Sequence, residues 1–345
     1  MSAKRLTSSD VAKRANVSRT TVSLILNNVP GVKIREETRQ RVLQIAHEMG
    51  YVPDAAAQAL VSRKSKIVAL ILTRDQHHLA SDAYLTQILN SLVTNLREHN
   101  MGLILEIVEE DHSADTYLKL VQSNRIDGII FSGPRFDDEA LQILKNEDFP
   151  TVLMGQLPCK DFYCVDVDNQ GAAKIAVRYL IEAGHRRIAC ITNADLSYTA
   201  AVDRLAGYKD ALADAGIPDR EDYVRLGDFD LDSGYREMGA LLKLDSVPTA
   251  VFVASDVVAF GAMAAIREHG KKAPEDLSIV GFDDVPMARF VDPKLTTIRL
   301  PAAELGRQTC KMLINIIQHN LPEQKQILLE TELIVRDSSG KPPYP

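Results

Sequence analysis

Apolar residues recur along this chain in two rhythms. Over the first fifty residues they come at helical spacing. Thr7 is a good N-cap with Asp10 three residues on, and Val11, Ala12 and Ala15 form a short apolar stripe. Asn16, a residue type that tolerates a left-handed turn, precedes Val17 and a second N-cap, Ser18. A second helix is predicted from Ser18 to about Asn27 through Val22, Ile25 and Leu26, stopped by Asn27-Asn28 and Pro30-Gly31. A third runs from about Arg35 to Met49, burying Val42, Ile45, Ala46 and Met49, with Gly50 as its stop. Next, Pro53 interrupts, and the Ala-rich run to Ser62 is helix-prone but too short to be stable alone in water.

From Lys66 the rhythm changes to apolar runs alternating with amphipathic stretches. Strands are expected at Ile67–Thr73, Gly102–Val108, Asp127–Ser132, Thr151–Met154 and Tyr163–Val167, with helices at Tyr84–His99, Asp115–Gln122 and Glu139–Lys145 between them. The alternation then restarts. Helices are expected at Ala172–Ala183, Arg204–Ala215, Ser233–Leu242 and Ala259–His269, and strands at Arg187–Thr192, Tyr223–Leu226, Ala250–Ala254 and Ser278–Phe282. Buried strands alternating with helices give parallel sheets covered on both faces. Two runs of about a hundred residues each, within the domain size range, suggest two similar lobes. The fold class is α/β, with an N-terminal three-helix head.

Charge separates head from body. Residues 1–66 hold 12 Lys and Arg against 5 Asp and Glu, a surplus of +7, so the rest carries −14 of the net −7. A basic head on an acidic body points to a polyanion as the head's partner. Helix, tight turn, helix and a third packing helix is the helix-turn-helix arrangement. Its second helix would send Arg19, Thr20 and Thr21 towards base edges, while Thr7, Ser18 and Ser23 could hold phosphates. A plain three-helix bundle is the blander alternative. In the linker, Leu60 would be an exposed apolar tip of the kind that wedges between base pairs in the minor groove.

In the body, polar residues cluster after strand ends, where ligands sit in such sheets: Thr73–Asp75, Ser132, Asp166 and Asp168, Asn193–Thr199, Ser255-Asp256 and Asp283-Asp284. Together they suggest a cleft between lobes. Several other signals are weak. Asp228-x-Asp230-x-Asp232 lacks the Gly and the final carboxylate of a calcium loop. His77-His78 reads as a polar loop more readily than a metal site. Phosphate-loop, zinc-protease, nucleophile-elbow and dinucleotide motifs are absent, so neither an enzyme nor a cofactor is expected. With 345 residues and 46% hydrophobic composition the chain can bury more than one core, which excludes disordered and collagen-like classes. The apolar run Ile67–Leu72 is far short of the roughly 20 residues of a membrane span. The start Met-Ser-Ala-Lys-Arg shows no apolar export signal, so a cytoplasmic location is expected, with Cys159, Cys164, Cys190 and Cys310 as reduced thiols.

The strings carry a family resemblance. Leu6–Asn27, Thr38-Arg39, Gly50-Tyr51-Val52-Pro53 and Ala59-Leu60 resemble the head of the lactose-repressor/galactose-repressor (LacI/GalR) family of bacterial transcription regulators. Asp127-Gly128-Ile-Ile, Asp168-Asn169, Gly184-His185-Arg186-Arg187-Ile188, Arg204-Leu-Ala-Gly207-Tyr208, Ala254–Ala262, Ser278–Asp284 and Leu295–Ile298 extend the resemblance along nearly the whole body. The resemblance implies a two-lobed core like the periplasmic sugar-binding proteins, crossed by three strands and closing on a small effector. It adds Leu24, Asn27, Tyr51 and Ala57 to the DNA-facing set and makes Leu60 the intercalating residue of paired hinge helices. Three positions depart from the family pattern: Asn16 stands in place of Gly, Leu24 in place of a base-contacting Arg, and Lys33-Ile34 in place of a capping Ser or Thr.

For the effector site the resemblance implies Arg204, Asp283, Phe229, Tyr84, Ser255, Asp256 and Ser132, suited to a sugar or sugar derivative. The division implied is 1–52 for the head, 53–65 for the hinge, 66–337 for the core and 338–345 for a tail. Within the core, the first lobe would take 66–168 and 299–325, the second 169–298 and 326–337. The expected protein is a repressor that binds a palindromic double-stranded DNA operator as a homodimer or a tetramer under effector control. The rival reading is a solute-binding protein with the same core and no operator.

Overall fold

The computed structural model describes residues 6–27, 31–52, 64–73, 79, 82–108, 113–123, 125–136, 138, 141–158 and 161–343. The chain divides into two compact units: residues 1–66 with 124–126, and residues 67–123 with 127–345.

The first unit holds α1 (Ser8–Ala15), α2 (Arg19–Leu26) and α3 (Glu36–Glu48). Their stripes meet in one small core of Val11, Ala12, Ala15, Val22, Ile25, Val42 and Ala46, with Tyr51 packed against it. Asn16 ends α1 with φ 52°, the left-handed turn its side chain tolerates. The hinge residues 53–63, with Ala57 and Leu60, lie outside the described residues, as do His77 and His78.

The second unit has two six-stranded sheets. The first sheet contains β1 (Ile67–Leu72), β2 (Gly102–Ile107), β3 (Gly128–Ser132), β4 (Thr151–Met154), β5 (Tyr163–Val167) and β11 (Gln326–Leu329) in the order β11-β5-β4-β3-β1-β2. All its pairings are parallel. The helices α4 (Ala83–Glu98), α5 (Ser113–Gln122), α6 (Leu141–Asn146) and α11 (Ala302–Ile317) accompany it. The second sheet contains β6 (Ile188–Ile191), β7 (Val224–Arg225), β8 (Ala250–Val253), β9 (Ser278–Asp283), β10 (Thr296–Arg299) and β12 (Glu332–Ile334) in the order β12-β10-β9-β8-β6-β7. Only β12 runs antiparallel.

Strand alternation divides the second lobe's core in two. Ile188, Cys190, Phe252, Val280 and Phe282 pack towards α7 (Asn169–Glu182) and α8 (Thr199–Asp214). Ala189, Ile191, Val251, Val253 and Ile279 pack towards α9 (Leu231–Leu241) and α10 (Asp256–Glu268). Being buried on both faces is what makes these strands continuous apolar runs.

The chain passes between the sheets three times: from β5 to α7, from β10 to α11, and from β11 to β12. The placement of 326–337 in the second lobe needs correction, because β11 pairs with β5 in the first sheet and only β12 joins the second. Nor is the tail separate from its start. Ser338 is fully buried. Its Oγ donates to the Ile279 carbonyl (2.7 Å) and accepts the Thr296 N–H (2.8 Å), while Gly340 N–H donates to Ser278 Oγ (3.0 Å). The helices α7 and α8 also begin earlier than the apolar period suggests. Asp168 caps α7 by accepting the Gly171 N–H at 2.8 Å. The first turns of both helices carry cleft-facing residues, so their apolar stripe starts late.

Backbone contact between α9 and α10 is close enough to require glycine. A Cβ on Gly261 would lie 1.8 Å from the Leu231 carbonyl oxygen, and one on Gly234 would lie 1.9 Å from that of Val258. Gly261→Ala should force the helices apart and lower stability by about 1–3 kcal/mol or more. Chemical denaturation checks this, and an unshifted midpoint would show that the helices can separate at no cost.

Candidate functional site

Two sites emerge, one in each unit. In the head, Asp10 Oδ2 accepts both the Thr7 N–H (2.9 Å) and the Thr7 hydroxyl (2.7 Å), which fixes the start of α1. Ser18 Oγ accepts the Thr21 N–H at 3.0 Å and lies 2.8 Å from Thr21 Oγ1, so these two residues build the N-terminus of α2. Val22 and Ile25 anchor the opposite face in the core. Ser18, Arg19 and Thr20 are left exposed, while Thr21, Ser23, Leu24, Asn27 and Tyr51 are half-buried. Arg19 Nε donates to Ser8 Oγ at 3.1 Å, which braces the guanidinium at the start of α1. Asn27 Nδ2 donates to Ser23 Oγ at 3.1 Å. The exposed N-terminal turn of α2 is thus a short row of hydrogen-bonding side chains on a rigid base.

In the second unit a cleft runs between the lobes. It encloses about 870 Å³, part of it open to solvent. Tyr84, Ser132, Arg204, Phe229, Ser255 and Asp283, all picked out from the sequence, line it together. Asp256 does not line it. It is fully buried, its Oδ1 accepts the Thr297 hydroxyl (2.6 Å) and its Oδ2 the Val285 N–H (2.9 Å). Both oxygens are occupied, so its place as an effector contact is corrected to a support of the turn that carries Asp283.

Arg204, 8% exposed, is the centre of the cleft. Its Nε donates to Asn169 Oδ1 (2.9 Å) and its Nη1 to the Ala254 carbonyl (2.7 Å). Its guanidinium lies 3.9 Å above the Phe282 ring. Asp283 Oδ1 stands 3.9 Å from Nη1, too far for a direct hydrogen bond. Asp283 Oδ2 accepts the Ser255 hydroxyl (3.2 Å) and the Asp256 N–H (3.4 Å). On the first lobe's side, Asp166 Oδ2 accepts from Asn169 Nδ2 (3.1 Å) and Gln156 Nε2 (3.4 Å). Tyr84 packs against the cores of both lobes.

Two cleft residues hold left-handed backbone: Phe229 at φ 54° and Asp283 at φ 125°. Such conformations cost energy in non-glycine residues and concentrate at functional sites. Hydrogen bonds also bridge the two lobes beside the cleft. Phe136 N–H donates to the Ser197 carbonyl (2.9 Å) and Thr199 N–H to the Pro134 carbonyl (3.2 Å). The Tyr198 hydroxyl donates to the Thr73 carbonyl, and the Tyr198 ring meets Phe229 edge-on at 5.1 Å.

Sequence reasoning carried Asp82 and Asn169 to no role, although they line the cleft beside Asp166, Asn193 and Tyr198. Asp82 and Asn169 begin helices, where a polar residue reads first as a cap.

Residues 7–54 match the bacterial regulatory proteins of the lacI family, and residues 177–339 match the periplasmic binding protein-like domain. The transcriptional regulator CelR of Thermobifida fusca is 33% identical over 97% of this chain and 98% of its own. The repressor CytR of Escherichia coli K12 is 34% identical over 96% of each chain. The chain belongs to the lacI family. Its fold is shared with the lac repressor dimer bound to operator and an anti-inducer, at TM-score 0.85, 27% identity, and 98% and 100% coverage of the two chains. It is likewise similar to a CelR–cellobiose complex, at TM-score 0.74, 32% identity, and 97% and 100% coverage. Like its relatives, this lacI-family chain is a DNA-binding transcriptional regulator and not an enzyme. Among the described residues no helix is long and apolar enough to cross a membrane, and no cluster of His, Cys, Asp and Glu could hold a metal.

Burial sets the protonation of two cleft acids, Asp283 and Asp166. It pushes Asp283 up to about 7 against the pull of Arg204, and Asp82 adds to the rise. Burial likewise raises Asp166 to about 6. Between the ordinary value of 3.8 and about 7, folded Asp283 keeps a proton that the unfolded chain has released. The stability this contributes is complete below about pH 4 and lost as pH rises through about 7. Asp283→Asn should flatten that decline in denaturant titrations across the window, whereas an unchanged slope would mean that this carboxyl titrates normally.

Proposed function

We propose that this lacI-family regulator is a sequence-specific repressor that binds a palindromic operator as a homodimer. A carbohydrate-type effector in the cleft would control it. The observation that carries the reading is the Arg204–Asp283 pair, set 3.9 Å apart inside a cleft with Phe229 and Tyr84 on its walls. A bidentate polyol can take hydrogen bonds from the guanidinium and give them to the carboxylate, while aromatic rings cover its apolar face. The CelR–cellobiose complex and a lacI-family regulator of Enterococcus faecium with bound ribose (27% identical, TM-score 0.69) support the choice.

On the DNA side, the exposed Arg19 and Thr20 at the start of α2 are the readers, with Ser18 and Thr7 near the phosphates. The linker residues Ala57 and Leu60 would follow in the minor groove. One head reads one half-site, so a two-fold protein is needed for a palindrome. The second lobe offers large exposed apolar side chains, Phe290 at 72% and Met287 at 54%, for such a partner. The lac repressor dimer on its operator supports the stoichiometry. Acting on chromosomal DNA, the protein would work in the cytoplasm without a cofactor.

The test is selection of bound sequences from a random duplex pool by the full-length protein at about 150 mM salt, where non-specific binding is weak. A two-fold-symmetric motif is expected. Arg19→Ala should weaken binding to it by about 1–3 kcal/mol and relax the preference at one base pair per half-site. No enrichment, with or without candidate sugars, would overturn the repressor reading.

A further inference from the structure

Among the described residues, one cleft-lining side chain carries a buried acceptor with no hydrogen-bond partner. Asn193 follows β6 and is 4% exposed. Its main chain is fixed, with its carbonyl accepting the Phe229 N–H at 2.8 Å. Its side-chain Oδ1 is buried with no hydrogen-bond partner, and the residue is one of those lining the cleft. Leaving such an oxygen unmet costs stability in the ligand-free protein, and native structures rarely tolerate it without reason.

The surroundings narrow what could meet it. Among the described residues, the charged side chains lining the cleft are Asp82, Asp166, Asp283 and Arg204. Arg204 already donates through Nε and Nη1 and faces Asp283, so an anion would find one engaged guanidinium and no other cationic side chain among the described lining residues. Asp283 and Asp166 keep protons towards neutral pH, which weakens the cleft as a trap for cations. A hydroxyl-rich neutral molecule fits this inventory: its O–H groups donate to Asn193, Asp166 and Asp283, and its lone pairs accept from the free Nη2 of Arg204.

We infer that Asn193 is a specificity-determining contact, its Oδ1 accepting a hydrogen bond from the effector, and that the effector is uncharged, neither phosphorylated nor carboxylated. The inference rests on the effector-cleft reading above.

Two arms test it on full-length, exhaustively dialysed protein. The first needs no ligand. Asn193→Leu replaces the amide with an apolar group of similar size and should raise the melting temperature by about 2–8 °C, because the unmet oxygen is gone. Asn193→Ala gives the same readout if Leu does not fit. A melting temperature lowered in both variants overturns the idea of an acceptor kept open for a ligand. The second arm is calorimetric titration with matched probes: glucose, glucose 6-phosphate, gluconate and glucosamine; ribose and ribose 5-phosphate; cellobiose; adenosine and AMP. At least one neutral probe should bind, with its charged counterparts at least about 100-fold weaker and Asn193→Leu at least about 10-fold weaker for the neutral one. A charged probe that binds as tightly as its neutral counterpart, or a variant with unchanged affinity, refutes the inference while leaving the cleft an effector site. Binding by no probe counts against the carbohydrate effector itself, and the melting arm then decides on Asn193.

Discussion

A buried guanidinium organises the ligand-binding core. Removing a charge from water costs several kcal/mol even after the protein relaxes around it, so Arg204 can stay charged only if its surroundings supply acceptors. Asn169 at the start of α7 and Ala254 after β8 accept its hydrogen bonds, and Asp283 at the end of β9 adds a nearby carboxyl group. The Phe282 ring covers its face. The set is complete enough to hold the arginine in place and incomplete enough to leave it chemistry to do. Asp283 stands off at 3.9 Å, and burial outweighs the attraction of Arg204 in setting its proton affinity. On the proposed reading, a ligand inserting between the two groups would complete this network.

The same region stores backbone strain and is tied to the chain crossings. Asp283 at φ 125° and Asp284 at φ 55° form a turn that only extra contacts can hold. Asp256 fixes it from beneath through the Val285 N–H. Asp284 fixes it from the side by accepting from Arg299 Nε (2.7 Å) and Arg336 Nη2 (2.5 Å). Arg299 ends β10, where the chain leaves for the first lobe, and Arg336 follows β12, where it has returned. Displacing Asp283 therefore pulls on the segments about which the lobes would turn. On the proposed reading, this would be a contiguous physical route from ligand to lobe geometry, the kind of element an allosteric equilibrium needs.

Much of this was legible in the sequence. The switch from helical spacing to apolar runs at Lys66 marked two kinds of structure, and polar residues after strand ends marked the cleft. Thr7 with Asp10, and Ser18, announced their helices because capping chemistry is local. What stayed hidden depends on contacts distant in sequence. Asp256 reads like its neighbour Ser255, yet Thr297 and Val285 occupy both its oxygens. The apolar runs near Gln326 and Leu333 look alike, and only pairing sends β11 to one sheet and β12 to the other. Asn193 is one polar residue among several in its loop, and its unmet oxygen becomes visible only with the fold. Ser338 looks like tail until its partners on β9 and β10 are in place.

The central claim is that a ligand gripped by Arg204 changes the head's hold on DNA. The direct measurement is the operator dissociation constant with and without a saturating bound sugar, for the wild type and for Arg204→Ala checked for folding by circular dichroism. The account predicts a ligand-linked change of about 5- to 150-fold in the wild type, the usual span of allosteric coupling, and none in the variant. A variant that keeps the full ligand-linked change would contradict it.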